Sequence, residues 1–251
     1  MLMLTEQRHR MILELLKSKN IVSIQEFTAY TNSSESTIRR DLTQLEKKKL
    51  LKRIHGGAQR LHGKLQEPNI VEKTAQNTRV KEKIGLYAAS LVEKDDCIYL
   101  DAGSTTMQMI QYLNPGNHMV VVTNGITLIP HLLAKGIKTY LIGGLVKPRT
   151  EAVIGSGALN DINGYRFDKC FLGTNGIHPK LGCTTPDPEE AILKSKALEL
   201  SQEGFILADD SKFGEISFSK FAELSDVTII TNELEQEILS IYQEKTEIKV
   251  V

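Results

Sequence analysis

Residues 34–42 read Ser34-Glu35-Ser36-Thr37-Ile38-Arg39-Arg40-Asp41-Leu42. Serine is a preferred N-cap, because its side-chain oxygen accepts an N–H from the first helical turn. Behind Ser34, the apolar residues Ile38, Leu42 and Leu45 recur at helical spacing and predict a helix. A helix start presents free N–H groups and the positive end of the backbone dipole. The hydroxyls of Ser36 and Thr37 and the guanidinium groups of Arg39 and Arg40 add donors there, which suits phosphates and base edges. Thr37, Arg39, Arg40 and Thr43 fall largely off the apolar face. Asp41 has the opposite sign and is expected to pair with a neighbouring Arg or Lys.

The flanking residues extend this pattern. Leu4, Ile12, Leu15 and Leu16 predict an earlier helix, with Arg8 and Arg10 near its front. Asn20 to Ser23 breaks it. Ile24, Phe27 and Ala29 give a second, short helix capped by Ser23, with Glu26 placed for a capping box. Thr31 to Ser33 is a turn. After the third helix comes LLKRIHGGA, residues 50–58, in which Gly56-Gly57 can make a tight hairpin turn beside Lys52, Arg53 and His55. A solvated charged helix would explain the arginines alone, but not the caps, the short turn and the hairpin together. These elements predict a winged helix-turn-helix in which Ser34, Ser36, Thr37, Arg39, Arg40, Lys52, Arg53 and His55 contact DNA.

Charge supports the division. The whole chain of 251 residues is neutral, but residues 1–60 carry 12 Lys and Arg against 6 Asp and Glu, and the remainder 19 against 25. A basic head on a larger acidic body fits a DNA reader joined to something that is not one. The domains expected are a DNA-binding domain at 1–58, a polar linker at 59–78 containing Pro68, and a second domain at 79–251. No apolar run approaches the roughly 20 residues that span a bilayer, and a charged helix follows directly on the N-terminus, so a cytoplasmic protein with no membrane partner is expected. Cys97, Cys170 and Cys183 are odd in number and lack a C-x-x-C pairing, which points to reduced structural thiols. No His/Cys cluster suggests a metal, and no cofactor is expected.

From residue 79 the pattern alternates between helix and strand. Strand candidates are 97–101, 119–123, 138–143, 169–174, 204–209 and 226–231, mostly short continuous apolar runs, as for strands covered on both faces. Helical stretches lie near 79–93, 105–113, 126–134, 188–203 and 233–243. The alternation predicts an α/β domain with a parallel sheet, and ligands in such sheets bind beyond the strand carboxyl ends. Four polar segments fall there: Asp101-Ala102-Gly103-Ser104-Thr105-Thr106, Thr123-Asn124-Gly125, Gly143-Gly144 and Asp209-Asp210-Ser211-Lys212. Each alone is commonly a cap or a turn. Together on one sheet edge they offer phosphate chemistry: a glycine for close approach, hydroxyls at a helix start, Lys212 as a cation and Asp101 as an acceptor for sugar hydroxyls. The stretch from Asn175 to Asp187, with Thr185, is expected to form a further wall.

SESTIRRDL, the Arg8-Ile12-Leu16 spacing and RIHGGA resemble the DNA-binding domain of the DeoR family of bacterial repressors. DAGSTT, VVTNG, LIGG, FLGTNG, TTPDPEEA and ADDSKFG resemble that family's effector-binding half. Within the family, RFDKCFLGTNG and SKFGEISFSKFA look most like fructose-operon repressors of Gram-positive bacteria. The resemblance implies a Rossmann-like sensor similar in fold to sugar-phosphate isomerases and coenzyme A transferases, binding a phosphorylated sugar without turnover. It implies a homo-oligomer that binds operator DNA and is released by an effector such as fructose 1-phosphate. Residues expected at the effector are Asp101, Gly103, Ser104, Thr105, Thr106, Thr123, Asn124, Gly143, Gly144, Thr185, Asp187 and Lys212. No catalytic residue is expected. The competing reading is an isomerase-like enzyme with an attached DNA-binding head, in which Asp101, Asp187, Glu190 and Lys212 do acid–base work.

Overall fold

The computed structural model describes residues 4–19, 21–48, 50–54, 56–60 and 69–251. His55 and residues 61–68 of the expected linker lie outside the described residues. The chain divides into two compact units, Met1–Gly63 and Lys64–Val251.

In the first unit, α1 (Thr5–Lys19) is followed by β1 (Ile21–Ser23), α2 (Ile24–Thr31), α3 (Glu35–Lys47), β2 (Leu51–Ile54) and β3 (Gly57–Arg60). The capping box at α2 is formed. Ser23 Oγ accepts the Glu26 N–H at 3.2 Å, and Glu26 Oε2 accepts the Ser23 N–H at 3.0 Å. Asn32 then ends α2 in the left-handed region, at φ 48°. Ile12, Leu16, Val22, Phe27, Ile38, Leu42, Leu45 and Leu51 form one core. Leu4, expected on the apolar face of α1, is exposed, as is Ala29 of α2. The stretch read only as a break, Asn20 to Ser23, contains β1, which pairs antiparallel with β3 and gives a sheet of order β1-β3-β2. Three residues are too few to show a period. Gly56 takes φ +78° at the hairpin turn, and a Cβ on Gly57 would collide with the Val22 carbonyl, so glycine lets β3 close on β1.

The second unit opens with α4 (Ile70–Ala75), inside the stretch read as a linker, and α5 (Thr78–Ser90). There follow β4 (Cys97–Leu100), α6 (Ser104–Ile110), β5 (Val120–Thr123), α7 (Ile129–Ala134) and β6 (Lys138–Leu141). A small antiparallel pair, β7 (Leu145–Lys147) and β8 (Ala152–Ile154), precedes α8 (Gly155–Ile162). Next are β9 (Phe167–Gly173), β10 (Gly176–His178), β11 (Gly182–Thr185), α9 (Pro188–Glu199), β12 (Ser201–Leu207), β13 (Ser219–Ala222), β14 (Thr228–Thr231), α10 (Gln236–Gln243) and β15 (Ile248–Val250). Seven strands form an all-parallel sheet of order β15-β14-β12-β9-β4-β5-β6. All six strand candidates lie in it. The predicted helix 188–203 is cut short, because β12 begins at Ser201.

Both faces of this sheet are covered, which explains the unbroken apolar runs. On β4, Tyr99 packs toward α8 and α9, while Ile98 and Leu100 pack toward α5 and α6. β10, β11 and β13 form a separate antiparallel sheet that the sequence did not announce, since Gly182-Cys183-Thr184-Thr185 reads as a turn. The parallel order reverses between β4 and β9. The crevice at such a switch point is where open α/β sheets bind ligands. Among the described residues, no helix is long and apolar enough to cross a membrane.

Candidate functional site

On the first unit, α3 buries Ile38, Asp41, Leu42 and Leu45 and leaves Ser36, Arg39 and Arg40 exposed, with Thr37 half-buried. Ser34 caps it, accepting the Thr37 N–H at 3.3 Å, and its Oγ lies 2.8 Å from Thr37 Oγ1 and 3.1 Å from Ser36 Oγ. A cluster of rotatable hydroxyls thus sits at the front of the helix. Arg39 is ion-paired with Glu35 one turn earlier, both exposed. Asp41 has its partner not on α3 but across the core. Arg8 of α1 forks onto it, with Nη2 at 3.1 Å and Nε also bonded, and His9 Nε2 lies 3.2 Å away. The hydrogen bond to Asp41 raises the Arg8 pKa further, against the burial that opposes it. This buried pair fixes α3 relative to α1. The wing is tied to the same helix: Arg53 donates its backbone N–H to Glu46 at 2.8 Å and its Nη1 to Thr43 Oγ1 at 2.9 Å. Lys52 is half-buried on β2 beside it.

On the second unit, a polar cavity of about 60 Å³ opens at the switch point, room for about two water molecules. The carboxyl ends of three strands contribute. Ala102, Gly103, Ser104 and Thr105 come from the β4–α6 turn, Gly173 ends β9 with Thr174 and Asn175 after it, and Asp209 and Lys212 follow β12. Helices supply Lys73 and Gln76 from α4, Lys81 from α5, and Glu190 and Lys194 from α9, with Thr150 between β7 and β8. Four lysines therefore face two carboxylates, a balance suited to an anion.

The charges are held individually. Lys194 is ion-paired with the buried Asp101 and donates to the Gly173 carbonyl at 3.1 Å, while Asp101 accepts the Gly173 N–H at 3.0 Å. Burial pushes the Asp101 pKa up in spite of Lys194. Glu190 accepts from Thr150 at 2.8 Å, from Lys147 at 2.9 Å and from Thr185 at 3.3 Å. Lys81 donates to the Lys73 carbonyl and, at 3.0 Å, to Ser104 Oγ. Burial pulls its pKa down to about 8, in part countered by Asp209. Burial of Asp209 would raise its pKa, but the charge of Lys212 and the hydrogen bond from Ser211 outweigh it and leave it lowered.

Of the expected effector residues, Gly103, Ser104, Thr105 and Lys212 line this cavity. Asp101 lies behind it, committed to Lys194 rather than open to a ligand. Thr106 is fully buried and donates to the Asp101 and Gly103 carbonyls. Thr123 donates to the Leu100 carbonyl. Asn124 accepts the Ala102 N–H at 2.8 Å and so shapes the turn without lining it. Gly143 donates its N–H to Asp161, and Gly144, at φ +155°, packs against Ile154 and Ala158. Thr185 bonds Glu190, and Asp187 caps α9 and pairs with Lys147. None of these eight lines the cavity, and of them Asp101 and Thr185 brace its Lys194 and Glu190. Sequence reading passed over Lys81 and Lys194. Their signal is a charge in the buried stripe of a helix: Lys194 falls among Ala191, Leu193 and Ala197, and Lys81 precedes Ile84 by one turn. Among the described residues, no group of three or more His, Cys, Asp or Glu could hold a metal.

Comparison with known proteins agrees with both units. Residues 8–64 match the DeoR-like helix-turn-helix domain, and residues 76–233 match the DeoR C terminal sensor domain. The chain is 52% identical over 249 residues to the uncharacterized HTH-type transcriptional regulator FruR of Bacillus subtilis, covering 99% of each. It is 33% identical to the HTH-type transcriptional repressor GlcR of Bacillus subtilis, over 91% of this chain and 88% of that one. It is 32% identical to the lactose phosphotransferase system repressor of Staphylococcus aureus, over 90% and 91%. Ribose 5-phosphate isomerase A of Methanocaldococcus jannaschii superposes with a TM-score of 0.41 at 17% identity, over 55% of each chain. The family assignment rests on the two domain matches and on the relatives, not on that superposition. The chain belongs to the DeoR family of helix-turn-helix transcriptional regulators.

Proposed function

We propose that the protein is a repressor of a sugar-utilisation operon, released from its operator by a phosphorylated sugar, with fructose 1-phosphate as the first candidate. The observation that carries this is the lysine-rich cavity at the switch point of a chain that also carries a helix-turn-helix. Its small volume suits a phosphate group, held among Gly103 to Thr105, Lys81 and Lys212. The sugar hydroxyls then face Glu190, Thr150 and Asn175, which offer acceptors and donors. The lactose phosphotransferase system repressor among the relatives supports sugar regulation, and the fructose assignment rests on the segments RFDKCFLGTNG and SKFGEISFSKFA. Ser34, Ser36, Thr37, Arg39, Arg40, Lys52, Arg53 and His55 form the operator surface in this reading. A homo-oligomer presents two such surfaces to two half-sites.

The test joins two measurements. Titration calorimetry with fructose 1-phosphate should show saturable binding, and the same compound should release the protein from its operator in a gel-shift assay. Binding of another sugar phosphate in its place would replace the effector. Formation of product from any of them would make the protein an enzyme and overturn the regulator reading.

A further inference from the structure

The cavity has a wall that belongs to neither the sheet nor its crossovers. α4 is six residues long and contributes Ile70, Lys73 and Gln76 to the lining. A helix of that length has little stability of its own. It is held in place from outside. The Ile70 side chain is buried, and its N–H donates to the Arg149 carbonyl at 3.1 Å. Asn69 caps the first turn, accepting the Glu72 N–H at 2.8 Å. At the other end, Lys81 Nζ reaches from α5 to the Lys73 carbonyl.

Lys81 ties α4 to the cavity. An ammonium group has three donors. One goes to the Lys73 carbonyl and one to Ser104 Oγ, and the group is 4% exposed. An anion in the cavity would complete the set, beside Lys73 of α4, which lines the same cavity. We propose that α4 is a strap drawn shut by the ligand: an anion bound at Ser104 and Lys212 engages Lys81 and Lys73 together and fastens α4 over the cavity. Burial, which lowers the Lys81 pKa, adds to the drive, because a bound anion favours its charged form. α4 is the first element after residues 61–68, which lead from the DNA-reading unit. Occupancy of the cavity thereby decides whether the chain entering the sensor is held at residue 69.

This inference rests on the phosphate-binding reading above. Hydrogen exchange of residues 70–76 should be measured on the full chain, free and saturated with fructose 1-phosphate, with inorganic phosphate as a second probe and calorimetry reporting binding. Exchange in α4 should slow at least tenfold on saturation. Asn69→Ala removes the cap without touching the cavity lining, so it should speed exchange in the free protein and weaken binding up to about fivefold, the usual worth of a cap. Asn69→Asp keeps an acceptor there and should restore both. Binding with unchanged α4 exchange would overturn the strap and leave the effector reading intact. Absence of binding by either probe would overturn both.

Discussion

Two residues on opposite faces of α3 illustrate how differently a charge can be used. Arg39 is exposed and paired with an equally exposed Glu35, and such a pair is worth about 0–1 kcal/mol. DNA can therefore take Arg39 from Glu35 at little cost. Arg39→Ala should leave the melting temperature nearly unchanged and weaken operator binding by about 1–3 kcal/mol, the worth of a bidentate base contact, with little effect on random DNA in the same gel-shift series. Asp41 is buried against Arg8. Asp41→Ala would remove the carboxylate onto which that buried guanidinium forks, at about 3–5 kcal/mol, much of what a domain of this size has to spare. Urea denaturation followed by circular dichroism should show the first unit unfolded or nearly so. Lys81 gives a pH prediction. Its folded pKa, about 8, lies below the 10.5 of a free lysine, so below pH 8 both states carry the proton and the folded state bears the cost of burying it. Between pH 8 and 10.5 the folded state sheds the proton first, and stability rises. Asp209, Lys212 and Lys73 face the same ammonium and shape the shift. The melting temperature of wild type relative to Lys81→Gln should rise across pH 8–9.5, while affinity for a phosphorylated sugar falls over the same range.

Elements were legible where a repeat was long enough to be seen. Fifteen residues of α1 and thirteen of α3 show their apolar faces, and the parallel strands show as apolar runs because helices cover both their sides. β1, β7 and β10, at three residues each, show no period, and their pairing partners lie far away or across a turn. The site divides in the same way. The turn after β4 was readable because glycine and hydroxyls at a helix start have a local chemical meaning. Lys81 and Lys194 were not, because a buried lysine acquires its role only from Ser104 and Asp101, which lie 23 and 93 residues away. The wing carries a prediction at this scale. Gly57→Ala would force β3 away from the Val22 carbonyl, which opens the β1-β3-β2 sheet and shifts Arg53 off Thr43. It should lower operator affinity and the first unit's melting temperature together, whereas Lys52→Ala should lower affinity for all DNA and flatten its salt dependence.

At the scale of the whole chain, each unit has a core of its own, so calorimetry should resolve two unfolding transitions. A bound phosphorylated sugar should raise the sensor's transition by mass action and leave the other where it was; a single transition that moves as a whole would show that the two units unfold as one. The order in which the chain is made adds a further consequence. The three helices and the hairpin are complete by Arg60, using contacts between near neighbours in sequence. The seven-stranded sheet has β4 beside β9 and β9 beside β12, so its centre cannot assemble before residues 201–207 exist, and its edge waits for β15. At ribosomal speeds of about 5–20 residues per second, the sensor finishes roughly 10–40 s after the head. During that interval every newborn molecule has a finished DNA reader and no finished sensor. On the proposed function, a cell growing on the effector thus always holds a small, freshly translated fraction deaf to it.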